Sequence, residues 1–107
     1  MSVVSVYAVF ADAGEAGQIG RLMIEEHLAA CVNILGSCRS IYRWNGDVES
    51  AEEVPAIFKT GVDSVDALIA RIAQLHSYDV PCITASKADF FFGPYGDWVS
   101  AALKPTP

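Results

Sequence analysis

The segment from Cys31 to Lys59 limits the possible folds of this chain most, because it has the pattern of one long two-stranded ribbon. Apolar and aromatic residues lead up to Asn45-Gly46, a dipeptide that favours the tight type I′ turn of a β-hairpin. After the turn, residues 54–59 alternate at the two-residue period of a strand. Pro55 has no amide hydrogen to donate, so we expect it at a sheet edge or a bulge.

A ribbon of this length needs a cover that a chain of 107 residues does not supply by itself. The composition agrees, because 52% hydrophobic and 19% charged residues are high and low values for a free monomer of this size. Exposed apolar strand edges pair readily with other chains. The sequence therefore predicts a closed homo-oligomer.

The bulk properties narrow the class of protein further. The length fits a single domain over residues 1–107. A net charge of −6 argues against a nucleic-acid partner, and no apolar run is long enough for a membrane span. The N-terminus lacks the basic start of a signal peptide, and the three cysteines lack paired CxxC spacing, so we expect reduced thiols and a cytoplasmic location.

The first half of the chain predicts a strand followed by a helix. Residues 3–11 are almost continuously apolar, which is typical of a central strand buried on both faces. Asp12 and Glu15 have the spacing of a capping box, so we expect a helix from Glu15 to about Leu28.

The second half predicts a helix, a strand and a short terminal helix. Asp63 or Ser64 can cap a helix that ends near His76. Residues 80–85 predict a strand, Phe90–Phe92 a loop that belongs to the core or an interface, and residues 94–103 a helix ended by Lys104-Pro105. The order β-α-β-β-α-β-α predicts an α+β protein, a ferredoxin-like split β-α-β sandwich with two helices on one face of a four-stranded antiparallel sheet, a long hairpin and a short C-terminal helix.

Several short motifs span nearly the whole chain in a specific order and spacing: Leu28-Ala29-Ala30-Cys31-Val32-Asn33-Ile34, Tyr42-x-Trp44-x-Gly46, Glu53, Lys59-Thr60, His76-x-Tyr78-x-x-Pro81 and Tyr95-x-x-Trp98. In these motifs the chain resembles the CutA divalent-cation-tolerance family. The resemblance implies a homotrimer in which the hairpins of neighbouring subunits wrap one another. It also implies a role in the response to metal ions, with copper or another divalent cation as ligand, and a similarity to PII-type signalling trimers.

The resemblance also implies metal ligands: a cysteine in the first strand and two adjacent histidines before a Pro-Tyr step. Here these positions hold Ala8, Leu75 and His76. His76 is our first candidate ligand, although at a helix C-terminus it can equally act as a cap, where the helix dipole favours its protonated form. Cys31 is the second candidate, with burial as a small apolar side chain as the alternative.

A second candidate site is a cleft between subunits. We expect Glu53 and Lys59 to hold a small polar ligand there against Trp44 and Tyr78, because aromatic walls with a few polar groups are typical of small-ligand sites. Ion pairing across the ribbon is the simpler explanation of these charges. The similarity to PII-type proteins makes a nucleotide or small organic anion the alternative ligand, although no glycine-rich phosphate loop lies near Gly14.

An enzymatic role is the third hypothesis. A thiol enzyme would need Cys31 within hydrogen-bonding reach of His76. Acylphosphatases have the same predicted fold, but they need a phosphate-binding arginine after the first strand, where this chain reads Asp12-Ala13-Gly14. We therefore predict a protein that binds and does not catalyse.

Overall fold

The hairpin organises the sheet in the computed structural model, which describes residues 1–105. The elements in chain order are β1 (Val4–Phe10), α1 (Ala13–Glu25), β2 (Cys31–Ile34), β3 (Cys38–Trp44), β4 (Asp47–Thr60), α2 (Val65–Leu75), β5 (Ile83–Lys87) and α3 (Gly93–Ala102). The strands pair antiparallel in the order β2-β4-β1-β5, and β3 pairs with the far half of β4. This arrangement confirms the predicted ferredoxin-like α+β fold with a long hairpin.

The turn of the hairpin forms at the predicted dipeptide. Asn45 has φ 49° and Gly46 φ 85°, so both central residues have the positive φ of a type I′ turn. Trp44 and Asp47 pair directly beside it. The Asn45-Gly46 dipeptide therefore correctly predicts the point at which the ribbon reverses direction.

The first arm is not continuous, contrary to the prediction of a single strand. Ile34 lies opposite Ala56 and Cys38 opposite Glu53, so residues 35–37 face only two residues of β4, which is a bulge. Pro55 is one of these two, and its carbonyl accepts a hydrogen bond from Leu35 N at 2.9 Å. The amide nitrogen of a strand residue points to the same side as its carbonyl, so the missing N–H of Pro55 faces the bulge. The predicted bulge at Pro55 is confirmed.

Helices α1 and α2 cover one face of the sheet and form the core with it. Asp12 Oδ1 accepts the Glu15 N–H at 2.8 Å and Glu15 Oε1 accepts the Ala11 N–H at 3.1 Å, which confirms the predicted cap. The largest fully buried apolar side chains come from both layers: Phe10, Phe58, Met23, Leu68, Ile72 and Val6. Each contributes about 1.5–3 kcal/mol by leaving water.

The opposite face of the sheet is largely open within one chain, which corrects the expectation that β1 is buried on both faces. Tyr7 projects from β1 on this face and is exposed. Helix α3 reaches part of it, where Tyr95 Oη lies 3.5 Å from Cys31 Sγ. This open face carries the candidate site.

Two element boundaries also differ from the predictions, and the Phe90–Phe92 loop lies largely outside the core. Helix α1 ends at Glu25, because His27 adopts φ 59° and the Leu28 N–H bonds back to Met23 O at 3.0 Å. Strand β5 begins at Ile83 rather than at residue 80. Phe90 and Phe92 are 94% and 76% exposed, so they are not core residues.

Within residues 1–105, no helix is long and apolar enough to cross a membrane.

Candidate functional site

A cleft of about 650 Å³ lies between the hairpin and the segment that follows α2. Its walls combine aromatic, acidic and small side chains, and the lining residues are Val9, Ser40, Tyr42, Arg43, Trp44, Glu49, Glu53, Tyr78, Asp79, Val80 and Cys82. Three of the four residues predicted for a ligand cleft, Trp44, Glu53 and Tyr78, therefore lie together.

The register of the hairpin explains one wall. Tyr42 lies opposite Glu49, and Trp44 lies two residues further along the same arm. Because alternate residues of a strand point to the same side, Tyr42 and Trp44 share a face with Glu49 and Glu53. The opposite face of the hairpin carries Ile41 and Val48, which therefore point away from the cleft.

The other wall is held by hydrogen bonds around His76. The imidazole Nε2 lies 2.7 Å from Val9 O, and the Tyr78 N–H donates to Nδ1 at 3.0 Å. A carbonyl only accepts and an amide N–H only donates, so these partners assign the neutral imidazole with its hydrogen on Nε2. The Ser77 N–H also donates to Glu15 Oε2 at 3.0 Å. The start of this wall is thus fixed to both β1 and α1.

His76 lies at the end of α2, but its imidazole bonds to β1 and to the segment after the helix instead of capping carbonyls of the helix. His76 is the C-cap residue of α2 and is 8% exposed. Its ring stacks on the ring of Phe10, with the two centroids 5.1 Å apart. The assigned neutral form differs from the protonated form that the helix dipole alone favours. The N–H of Tyr78 explains this difference, since a second hydrogen on Nδ1 would meet it directly.

Tyr78 and Glu53 join the two walls. The Tyr78 hydroxyl donates to Glu53 Oε2 at 2.8 Å. Burial, and after it the hydrogen bond with the Glu53 carboxylate, raises the pKa of Tyr78 to about 12. The phenol therefore keeps its proton at neutral pH and acts as a fixed donor that orients the carboxylate.

Lys59 is the predicted cleft residue that lies elsewhere. It is on the same face of β4 as Glu53 but six residues further along, a distance of about 20 Å at the rise of a strand. Its neighbours across the sheet are Cys31 and Ser5. The carboxylates of the lining are those of Glu49, Glu53 and Asp79. Arg43 also lines the cleft, but it pairs with Val48, so its side chain projects from the opposite face of the hairpin, and its guanidinium donates to Gly46 O at 3.1 Å.

The two predicted metal ligands do not come together within one chain. Cys31 lies opposite Lys59, whereas His76 bonds to Val9, which lies opposite Pro55, about 13 Å away along β4. Both imidazole nitrogens are already engaged, and among residues 1–105 no group of three or more His, Cys, Asp or Glu side chains could hold a metal ion. The described residues of a single chain do not fit a transition-metal centre.

The same geometry contradicts the hypothesis of a thiol enzyme with a Cys31–His76 pair. Cys31 Sγ contacts Tyr95 Oη at 3.5 Å, and burial, followed by that contact, raises the pKa of Tyr95 to about 12. The Cys31 thiol and the His76 imidazole are each bonded to other groups. No Cys31–His76 nucleophile pair forms.

Some lining residues were not anticipated from the sequence. Ser40 lies two residues before Tyr42 on the same face of β3, so the two-residue period of the strand was the signal that could have predicted it. Asp79 lies in the segment after α2, and nothing in its local sequence indicates that this segment turns toward the hairpin.

Comparison with known proteins gives consistent results. Residues 4–102 match the protein family described as "CutA1 divalent ion tolerance protein". The chain is 35% identical over 103 residues to the divalent-cation tolerance protein CutA of Thermococcus kodakarensis, covering 96% of this chain and 98% of that protein. It is 37% identical over 102 residues to the Pyrococcus horikoshii protein of the same name, covering 95% and 99%. The crystal structure of CutA from Xylella fastidiosa superposes with a TM-score of 0.94 at 31% identity, covering 97% of this chain and all of that one.

Proposed function

The chain belongs to the CutA1 divalent ion tolerance family, and from that premise we propose that it acts as a non-enzymatic homotrimer in the response to divalent cations. The observation that carries the proposal is the exposed apolar surface of the hairpin. Ile41 and Val48 are 69% and 66% exposed on the face that points away from the cleft. Apolar side chains in such positions are covered in stable proteins by other chains.

The shape of the chain supports the same proposal. Its principal extents are 48 × 29 × 23 Å, because the far half of the hairpin pairs only with itself. An isolated two-stranded ribbon is marginally stable in water. That the assembly has three subunits, and that neighbouring hairpins wrap one another, is what the resemblance to the CutA family implies.

The cation part of the proposal depends on assembly. Since no described group within one chain fits a metal ion, we propose that copper or another divalent cation takes donors from more than one subunit.

The alternative of a nucleotide or small organic anion in the cleft is less well supported. Glu49, Glu53 and Asp79 line the cleft, whereas the side chain of Arg43 projects from the opposite face of the hairpin and Lys59 lies outside. Three carboxylates repel an anionic ligand at neutral pH.

The test compares the wild type with a double variant, Ile41→Ser with Val48→Ser. Sedimentation is expected to show a trimer for the wild type and dissociated chains for the variant, and calorimetric titration with copper at neutral pH is expected to show saturable uptake by the trimer only. Val62→Ser is the control, because Val62 is also exposed but lies before α2. A wild-type protein that sediments as a single chain, or one without saturable uptake of copper or zinc, contradicts the corresponding part of the proposal.

A further inference from the structure

We infer that the cleft between the hairpin and residues 78–82 binds a small organic cation of the alkylammonium class. The inference rests on the proposed function in one respect: the trimer must leave this face of the hairpin accessible. The apolar residues that we assign to assembly, Ile41 and Val48, project from the opposite face.

Charge is the first reason. The lining includes the carboxylates of Glu49 and Glu53 from β4 and of Asp79 from the facing wall. The lining also includes Arg43, but its side chain shares a face with Val48, away from these carboxylates, and its guanidinium donates to Gly46 O within the turn. A cation that enters the cleft has carboxylates on two sides, whereas an anion meets repulsion from both.

The aromatic walls are the second reason. Tyr42 and Trp44 project from the hairpin, and Tyr78 lies on the other side. Aromatic faces attract cations whose surface is partly apolar, and cages of such residues recognise alkylated ammonium groups. The combination of aromatic walls with convergent carboxylates is therefore specific to an ammonium carried on an apolar body.

The fixed position of Glu53 is the third reason. The Tyr78 hydroxyl donates to Oε2 and keeps its proton at neutral pH, so Tyr78 holds the carboxylate without neutralising it. The backbone of Tyr78 is in turn fixed through Nδ1 of His76. The carboxylate is thus placed before any ligand arrives, which lowers the entropic cost of binding.

A bare metal ion fits this cleft less well than an ammonium does. Divalent cations prefer several oxygen or nitrogen donors directed at one point. Residues 1–105 contain no such group, and the carboxylates of Glu49 and Glu53 start four residues apart on β4, about 13 Å. An alkylammonium needs only one carboxylate and an aromatic face.

The test uses three probes that share a four-carbon chain and differ in charge: butylammonium, butan-1-ol and butyrate. Each is titrated into the assembled protein at pH 7 while the indole N–H resonances are followed by NMR. Trp44 lines the cleft, and Trp98 stacks on Tyr95 in α3, with ring centroids 5.8 Å apart. We expect butylammonium alone to shift the Trp44 resonance saturably, with the Trp98 resonance unchanged.

A matched pair of variants assigns the effect to the cleft. Glu53→Gln removes the charge and keeps an oxygen for Tyr78, so the Kd for butylammonium is expected to rise by about fivefold or more. Glu52→Gln removes the same charge from the adjacent position, which lies on the other face of β4 beside Arg39, and is expected to leave the Kd unchanged.

Three results overturn the inference. The first is equal binding of butan-1-ol or butyrate, which shows that charge does not select the ligand. The second is the absence of any shift of the Trp44 resonance with butylammonium, and the third is an equal loss of affinity in the two variants. None of these results concerns the mass of the assembly or its copper uptake, so they leave the test of the proposed function unaffected.

Discussion

At the scale of single residues, Glu15 and His76 have the clearest structural roles. Glu15 accepts the N–H groups of Ala11 and Ser77 with its two carboxylate oxygens. His76 uses both ring nitrogens for backbone groups of Val9 and Tyr78. These two side chains connect β1, the start of α1 and the wall of the cleft, so they position the site without lining it.

Glu15→Ala is expected to lower the free energy of unfolding by about 1–2 kcal/mol at pH 7, since two backbone donors lose a charged acceptor. Burial raises the pKa of Glu15, but the hydrogen bonds from Ser77 and Ala11 outweigh it, and the net pKa is lowered below 4.5. A lowered pKa in the folded state stabilises the protein above the ordinary pKa, and this stabilisation is lost as the pH falls through the lowered value.

The measurement is denaturant unfolding of wild type and variant at equal protein concentration from pH 7 to pH 3. The difference between them is expected to shrink below pH 4.5. Glu25→Ala serves as the control, because Glu25 is exposed in the last turn of α1. A difference that is independent of pH would show that the carboxylate charge of Glu15 has no part in the effect.

At the scale of elements, the hairpin and its bulge decide where the site lies. Opposite Pro55 the chain gains one residue, and β3 continues from there as the wall of the cleft. Bulges bend a strand and increase its twist. The far half of the hairpin is therefore a separate unit of structure whose stability depends on its turn.

Gly46→Ala is expected to destabilise the hairpin by about 1 kcal/mol, because Gly46 has φ 85° and an alanine is strained there. Hydrogen exchange of the β3 and β4 amides in residues 38–53 is the measurement, and faster exchange is expected in the variant. Gly36→Ala is the matched control, since an added Cβ there meets nothing within 4 Å and Gly36 has no positive φ. Equal exchange in the two variants would contradict the role of the turn.

The sequence predicts the parts of the fold that depend on neighbouring residues. Asn45-Gly46 and the Asp12–Glu15 cap are local, and both form as predicted. Strand alternation also assigns Trp44, Glu53 and Lys59 to one face, but it does not show that Lys59 lies about 20 Å from Glu53 within one chain. The approach of Asp79 to the hairpin depends on the path of a loop between distant elements. No local pattern specifies such a path.

At the scale of the whole molecule, one chain leaves two surfaces exposed that differ in chemistry. The cleft face of the hairpin is aromatic and acidic, and the opposite face is apolar at Ile41 and Val48. The open face of the main sheet, with Tyr7 exposed, adds to the area without a cover. We therefore expect the folded chain to depend on its copies.

Static light scattering of the wild-type protein, at dilute concentration and near-physiological salt, tests this dependence most directly. A chain of 11.5 kDa that forms a trimer is expected to give a mass of about 34.5 kDa, unchanged on tenfold dilution. A mass of 11.5 kDa under the same conditions would show that the exposed hairpin needs no partner, and it would contradict the account.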